Sequence, residues 1–388
     1  MVGISHHKAS VGVREQLALG ANELDALLAG QRAAGRNALL LSTCNRFEVY
    51  WSGPDDYETW FRAFAAARGV VLSHALVRLD GEAAARHLFS VAAGLDSQVV
   101  GETEVLGQVR RAYDAARAAG VTTREMDFVF SAALSAGRRV RHETSLGRHP
   151  ASVSSAAVEV AARAFAGVIG DRSVVVLGAG EAAEGVLRSL HLTGATNVRL
   201  VNRNPERART LAAGWGASSH GWDELDALLG GADLLFVATG ASHPVISAEQ
   251  LTGVVDGRTQ PLVTMDLSVP RNVEPEARSL AGIYLFDLDD LQRLCCPAAA
   301  APAAALQDAE RVVDEELARL EQQLRGLAAA PRLAELHRHG AQVAEQEAAW
   351  ALAQLDDLTE QQRLVVKEMA DRLVRRVLYP VSRSMREE

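Results

Sequence analysis

Hydrophobic and polar positions along the chain fall into three successive patterns. Up to about residue 150, short β-type runs at 38–42 and 49–51, with a weaker one at 70–77, mix with alanine-rich helical stretches. This predicts a compact α+β unit closed by a helical tract. The pattern breaks around 147–155. After a helical segment at 156–165, Ser173-Val-Val-Val-Leu177 reads as a buried parallel strand running into a glycine turn. A helix from Glu181, a strand at 198–201, a helix opened by Asn204 as cap and Pro205 in its first turn, and strands at 234–237 and 262–266 follow. Strands alternating with helices predict a doubly wound sheet. The third pattern follows a linker-like CPAAAAP at 296–302. Leu306, Val313, Leu317, Leu320, Leu324 and Leu327 recur at spacings that put them on one stripe of a helix. Helical patterns at 332–356 and 360–379 complete the chain, the second opened by the capping-box-like Thr359-Glu-Gln-Gln362. Such a terminal bundle is most simply a dimerisation element, although an intramolecular helix pair would look similar.

The 388 residues are 48% hydrophobic and 23% charged, the balance of a soluble protein long enough for two or three domains. No stretch approaches the roughly 18 apolar residues of a membrane span, and the opening residues lack the basic-then-apolar layout of a signal peptide. The expectation is a cytoplasmic protein without membrane association. Three cysteines, at 44, 295 and 296, cannot build a disulfide framework or a four-thiolate metal site, and no CxxC or HExxH spacing occurs. The net charge of -9 is uneven: residues 1–150 carry 17 Lys+Arg against 16 Asp+Glu. Arg138, Arg139, Arg141 and Arg148, with His142 and His149, face only Glu143 and could attract phosphate, but from charge alone they read as a solvated helix end.

Gly178-Ala-Gly180-Glu-Ala-Ala183, directly after a strand and opening a helix, fits GxGxxA. Its glycines permit the tight turn and let a pyrophosphate reach the helix N-terminus. About 20 residues on, where an NAD-specific site carries an acid, the chain has Asn202 and Arg203. They suit the 2′-phosphate of NADPH, since a guanidinium pairs with that dianion and an acid repels it. Cys44 ends an apolar strand where the chain turns polar, among Thr43, Asn45 and Arg46. A lone cysteine is usually a small buried hydrophobe. These neighbours argue against sealed core, and Arg46 is close enough in sequence to stabilise a thiolate. Cys295 and Cys296 read as incidental, although Cys296-Pro297 resembles the short Cys-Pro motif of some haem-responsive proteins. A cysteine paired with a nicotinamide site constrains the chemistry, because a hydride reduces a thioester readily and a free carboxylate hardly at all. The reverse, aldehyde-dehydrogenase direction is equally open to these residues.

Ser42-Thr-Cys-Asn-Arg-Phe-Glu48 resembles the STCNRxE motif of glutamyl-tRNA reductases, and further matches follow in order. Gly3-Ile-Ser-His-His-Lys-Ala-Ser-Val11 is similar to the family's opening GxNHKTAPV, with Ser5 for Asn and Ser10 for Pro. Gly94-Leu-Asp-Ser-Gln-Val-Val-Gly-Glu102 through Gly107-Gln108 resembles GLDSxxxGExQILGQ, with His87 upstream. Ser152-Val-Ser-Ser155, the 178–181 turn, Asn202-Arg203, Asp266-Leu-Ser-Val-Pro-Arg271 and Leu378-Tyr-Pro380 continue the series. The resemblance implies NADPH-dependent reduction of glutamyl-tRNA(Glu) to glutamate-1-semialdehyde, the committed step of five-carbon tetrapyrrole synthesis. It makes Cys44 the nucleophile and His87 a residue that orients substrate or protonates the leaving ribose oxygen. Arg46 would pair with the substrate's side-chain carboxylate, with Thr43, Asn45 and Ser97 completing the pocket. Glu102, Thr103, Glu104 and Gln108 match the other substrate-contacting stretch, where Thr103 and Glu104 replace the common Pro-Gln. Gly178, Ala179, Gly180, Glu181, Ala182, Ala183, Asn202 and Arg203 would hold the cofactor.

The expected fold is a multidomain α/β protein. It comprises an N-terminal α+β catalytic domain (1–150), a Rossmann-type NADP-binding domain (151–298) and a C-terminal helical dimerisation domain with a long spinal helix (299–388). The resemblance implies a V-shaped homodimer and a glutamate-1-semialdehyde aminomutase as partner. Two rivals remain at this point. One is another NADP-dependent dehydrogenase of a small substrate, which leaves 42–48 and 94–108 unexplained. The other is a silent relative that only binds tRNA or NADPH, which has no need of a thiol near a hydride donor.

Overall fold

The computed structural model describes every residue except 73, 103, 148–151, 257, 296–302, 356 and 388. The 296–302 linker, Cys296 and the substrate-contact expectation for Thr103 therefore lie outside the described residues, as do Arg148, His149 and the side chain of Cys295. Two compact units are present, Met1–Asp314 and Glu315–Glu388.

In the first unit, a four-stranded antiparallel sheet has the order β2 (Leu39–Ser42), β3 (Arg46–Tyr50), β1 (Val2–Ser5), β4 (Val77–Arg78). Helices α1 (Val11–Leu17), α2 (Ala21–Ala33), α3 (Tyr57–Ala67), α4 (Gly81–Ala92), α5 (Glu104–Ala119) and α6 (Arg124–Glu143) accompany it. The weak β signal at 70–77 yields only Val77–Arg78. The strand expected at 49–51 instead begins at Arg46 and pairs in register with β2, Ser42 opposite Phe47. Arg46 and Glu48 lie inside that strand because each buries its charge against the other, and all five residues of β3 are buried. Cys44 thus sits at the tip of a tight hairpin.

A six-stranded, all-parallel sheet follows in the same unit. Its order is β10 (Ile283–Phe286), β9 (Leu262–Asp266), β8 (Leu234–Val237), β5 (Val174–Leu177), β6 (Val198–Val201), β7 (Ser218–His220). The helices along it are α7 (Val153–Arg163), α8 (Glu181–Leu192), α9 (Pro205–Trp215), α10 (Leu225–Gly230), α11 (Ala248–Val255) and α12 (Leu288–Cys295). Alternation along β5 explains the continuous apolar run: Val174 and Val176 enter one core layer, Val175 and Leu177 the other. Each such fully buried side chain contributes roughly 1.5–3 kcal/mol relative to exposure. Strand order reverses between β5 and β8, so the crevice at their carboxyl ends is where this fold binds ligands.

α13 (Ala303–Ala353) is one helix of 51 residues that runs through Pro331, not two segments separated near 332. An internal proline costs about 3 kcal/mol. Ala329 and Leu333 on either side of it are buried, and that packing works against the cost. Of the leucine stripe, Val313, Leu317 and Leu320 are buried and Leu306, Leu324 and Leu327 half-buried. α14 (Glu360–Glu387) likewise continues past Pro380. In the second unit Leu378 and Val374 of α14 lie where a Cβ on Gly340 of α13 would sit, at 2.6 and 2.9 Å, so only glycine admits this approach. The neighbouring stripe of α14, Val365, Met369, Leu373, Val377 and Val381, stays exposed. Among the described residues no helix is long and apolar enough to cross a membrane.

Candidate functional site

The β2–β3 turn is built around Thr43. Its amide donates to the Arg46 carbonyl (2.9 Å), and its hydroxyl accepts from the amides of Asn45 (3.1 Å) and Arg46 (3.2 Å). The Asn45 carbonyl accepts from the His6 amide (2.8 Å), and the Cys44 carbonyl accepts from Arg14 Nε (3.0 Å). The turn that carries the thiol is therefore fixed by bonds to its backbone atoms. Cys44 is half-buried and packs against the core of the parallel sheet. Burial first, and the Glu102 carboxylate next, push its thiol up to about 12, while the cation that opposes them is Arg14. Arg46, the sequence-adjacent candidate for stabilising a thiolate, is engaged elsewhere.

The Arg46 guanidinium is buried among carboxylates. Nη1 donates to Glu48 Oε1 (2.9 Å) and Asp96 Oδ2 (3.1 Å), and Nη2 donates to the Asp96 carbonyl. Glu48 also accepts from Tyr50 Oη (2.7 Å) and lies 2.8 Å from His87 Nε2. His87 Nδ1 lies 3.4 Å from Asp96 Oδ2, so two carboxylates orient the ring. Burial alone would raise the Glu48 carboxyl, but Arg46 and His87 bring it down to about 2. Glu48 and Asp96 did not emerge from the sequence as site residues. A charged pair inside an apolar strand was the available signal. Next to this network is a cavity of about 470 Å³ lined by His7, Lys8, His87, Ser90, Asp96 and Glu310, among others. Cys44 does not line it.

Several buried polar atoms of this domain have no hydrogen-bond partner, Asn45 Oδ1, Arg46 Nε and both amide atoms of Gln98 among them, while the Ser97 hydroxyl bonds the Glu102 carboxyl. Leaving such groups unpaired costs about 1–3 kcal/mol each, which a polar ligand would recover. Glu102 is buried nearby, its carboxyl raised to about 7 by burial and then by Glu104. Glu104, at the start of α5, is raised by burial and then by Glu181. It reaches within 3.8 Å of where a Cβ on Gly185 of α8 would lie, so this substituted position sits at the seam between the two sheets. Gln108, one turn further along α5, is half-buried. Replacing Glu102 by Gln removes the largest electrostatic opposition to a Cys44 thiolate. Alkylation of Cys44 by iodoacetamide should quicken by about threefold or more, increasingly so above about pH 7, where Glu102 is charged. Identical alkylation profiles would show that the sulfur does not feel that carboxylate.

At the parallel sheet, Gly178 has φ +116° and an added Cβ would lie 2.2 Å from the Ala238 carbonyl, so the first glycine lets the ends of β5 and β8 meet. Around Gly180, by contrast, a Cβ would meet nothing within 4 Å, and this residue caps α8 with no side chain of its own. Open space at bare helix amides fits a pyrophosphate. Ala179 and Ala183 are buried beneath the turn, and the Ala182 carbonyl accepts from Ser154 Oγ (2.9 Å). Glu181 is exposed and held by Arg111 (3.0 and 3.1 Å), which offsets its charge near the phosphate position. Beyond β6, Asn202 Nδ2 donates to the Asn204 carbonyl (3.0 Å), and the exposed Arg203 stacks 4.9 Å from the Trp222 ring centre. No acid takes the position that would select NAD.

Fold and site together define a class: a nicotinamide-dependent oxidoreductase in which a separate domain carries a cysteine. Comparison with known proteins narrows it. Residues 2–144 match the glutamyl-tRNAGlu reductase N-terminal domain, 159–294 the shikimate / quinate 5-dehydrogenase family and 308–388 the glutamyl-tRNAGlu reductase dimerisation domain. Glutamyl-tRNA reductase 2 of Anaeromyxobacter dehalogenans is 37% identical over 388 residues, 99% of this chain and 86% of that protein. Glutamyl-tRNA reductase of Deinococcus radiodurans is 41% identical over 316 residues, 81% of this chain and 89% of that one. Among solved structures, glutamyl-tRNA reductase from Methanopyrus kandleri is 30% identical with a TM-score of 0.49, covering 100% of this chain and 97% of that chain. The chain belongs to the glutamyl-tRNA reductase family.

Proposed function

We propose that this protein reduces glutamyl-tRNA(Glu) to glutamate-1-semialdehyde with NADPH, through a thioester on Cys44, as the first step of tetrapyrrole synthesis. One observation carries the reading: the cysteine of a hydrogen-bonded turn packs against the core of a sheet with an open glycine cradle. Residues 1–150 form the catalytic domain, 151–298 the NADP-binding domain, and 299–388 the spinal helix and dimerisation domain. The exposed apolar stripe of α14 suits the homodimer interface. We assign the protein to the cytoplasm, where its tRNA substrate is charged, with a glutamate-1-semialdehyde aminomutase as recipient of the aldehyde.

In this reading the free Nε edge of Arg46 takes the substrate's side-chain carboxylate, and Glu102 with Glu104 favours its ammonium group. That ammonium offsets the charges that hold Cys44 protonated. The sulfur then attacks the acyl carbon, a C–S bond forms, and the C–O bond to the tRNA ribose breaks with protonation of the departing oxygen. His87, oriented by Glu48 and Asp96, is the group we assign to that end of the substrate. When bound, NADPH supplies the hydride that the thioester carbon needs to become an aldehyde. Collapse of the resulting thiohemiacetal breaks the C–S bond and returns the sulfur to Cys44.

The test is incubation with charged glutamyl-tRNA and NADPH while semialdehyde is followed. Its formation supports the reading, and its absence with a folded, NADPH-binding protein contradicts it. Cofactor choice has its own check: Arg203→Ala should raise the Kd for NADPH about tenfold or more and leave that for NADH nearly unchanged. Equal losses in a titration of nicotinamide fluorescence would give Arg203 a structural role.

A further inference from the structure

The nucleophile turn is tied to the parallel sheet's domain by charges that the chemistry above does not use. Arg14 on α1 is 3% exposed and has three tasks. Nε donates to the Cys44 carbonyl (3.0 Å), Nη1 to the Ala9 carbonyl (2.8 Å), and Nη2 lies 3.1 Å from Asp289 Oδ1 on α12. The other Asp289 oxygen accepts from the Val11 amide (2.7 Å). The next residue, Glu15, makes a second connection. Its Oε2 accepts from Nε (2.8 Å) and the backbone amide (3.1 Å) of Arg271, and Oε1 lies 2.5 Å from Arg271 Nη2. Seven residues of helix therefore hold the Cys44 backbone at one place and two separate segments of the dinucleotide-binding domain at two others.

The chemistry of these contacts suits a joint that sets orientation. Asp289, Glu15 and Arg271 are each about one-fifth exposed, so the pairs lie at the edge of the seam, where holding the charges costs less than in the core. Apolar packing, with Val99 and Cys44 against the core of the parallel sheet, holds the seam together, and ion pairs whose desolvation offsets their attraction add little to that adhesion. The bidentate Arg271–Glu15 geometry adds direction, fixing orientation as well as distance. Forming the thioester requires only the first domain. Delivering a hydride to it requires both, held within a few tenths of an ångström, and misplacement of about 1 Å costs as much as a hundredfold in rate.

We propose that the Arg14–Asp289 and Glu15–Arg271 pairs form a latch that sets the dinucleotide domain in register with the Cys44 turn for hydride delivery, making Glu15, Arg271 and Asp289 positioning residues of the second half-reaction. The proposal rests on the thioester reading given above. During that step the thioester carbon gains the hydride from NADPH, leaving NADP⁺, and the C–S electron pair returns to sulfur as the aldehyde leaves.

The test uses the full-length protein and three variants: Glu15→Gln combined with Asp289→Asn, Arg271→Glu alone, and Arg271→Glu combined with Glu15→Arg. Three quantities are measured: Cys44-dependent release of glutamate from glutamyl-tRNA without NADPH, NADPH affinity by nicotinamide fluorescence, and semialdehyde formation at saturating NADPH. Release and affinity should stay within about twofold of wild type, while reduction falls about ten- to a hundredfold in the first two variants. The charge swap should recover at least a tenth of wild-type reduction. Loss of release in parallel with reduction, or a swap no better than Arg271→Glu, would overturn the latch and leave the thioester reading standing. A wild-type protein that neither deacylates nor reduces glutamyl-tRNA would overturn both.

Discussion

Cys44→Ser should leave a folded protein that binds NADPH and makes no semialdehyde, a loss of at least about a thousandfold. The hydroxyl lacks the intrinsic nucleophilicity of sulfur, and the charged groups around this position are a carbonyl-bound arginine and two carboxylates raised by burial, not a base aimed at the side chain. The fold should survive because the turn is held by backbone amides and the Thr43 hydroxyl, none of which involves the thiol. Circular dichroism and an NADPH titration matching wild type, with no semialdehyde, is the expected result. A serine variant that retains reduction would remove the thioester from the mechanism.

Arg46→Leu should damage stability and activity together. The substitution strands Glu48 and Asp96, two carboxylates that share one guanidinium, and breaking a buried pair in this way costs about 3–5 kcal/mol. Its pH signature separates this cause from simple misfit. In wild type the Glu48 carboxyl is held at about 2, below its unfolded value of 4.5, so its contribution is fully present above pH 4.5 and is lost as pH falls towards 2. Without Arg46 the burial effect is opposed only by His87 and Tyr50, so that carboxyl should rise towards or above its unfolded value. The folded variant then protonates at higher pH than folded wild type does, and the stability gap to wild type should narrow as pH falls from 7 to 4.5. Urea unfolding at the two pH values measures it. A constant gap would mean that lost packing, not stranded charge, dominates.

These two predictions mark where the sequence could be read and where it could not. β5, β6, β8 and β9 were legible because strands buried on both faces spell continuous apolar runs, and the glycine turn follows the first of them. β7, Ser218–His220, carries no such signal, since it is a polar edge strand with two of its three residues exposed. β3 was read too short because Arg46 and Glu48 look like loop residues until their mutual pairing is seen. The helical patterns at 332–356 and 360–379 stop short of the true elements, since α13 runs unbroken through Pro331 and α14 continues past Pro380. At the site, Cys44 and Arg46 stood out within one short motif. Asp96, fifty residues away, and the contacts of Glu15 and Asp289 depend on chain closure over distances that local pattern does not encode. Glu104 shows the other kind of gain: an unexpected residue within a motif is placed by the fold at the seam beside Gly185.

The central claim, that Cys44 carries the glutamyl group before any hydride moves, is tested most directly by mixing the protein with glutamyl-tRNA in the absence of NADPH, quenching in acid and examining the tryptic peptide 37–46 by mass spectrometry. The account predicts a glutamyl adduct on Cys44 that hydroxylamine removes, that is absent in Cys44→Ser, and that disappears with formation of semialdehyde when NADPH is added before the quench. A wild-type protein that forms semialdehyde with NADPH yet shows no adduct and no slow release of glutamate without it would contradict the account.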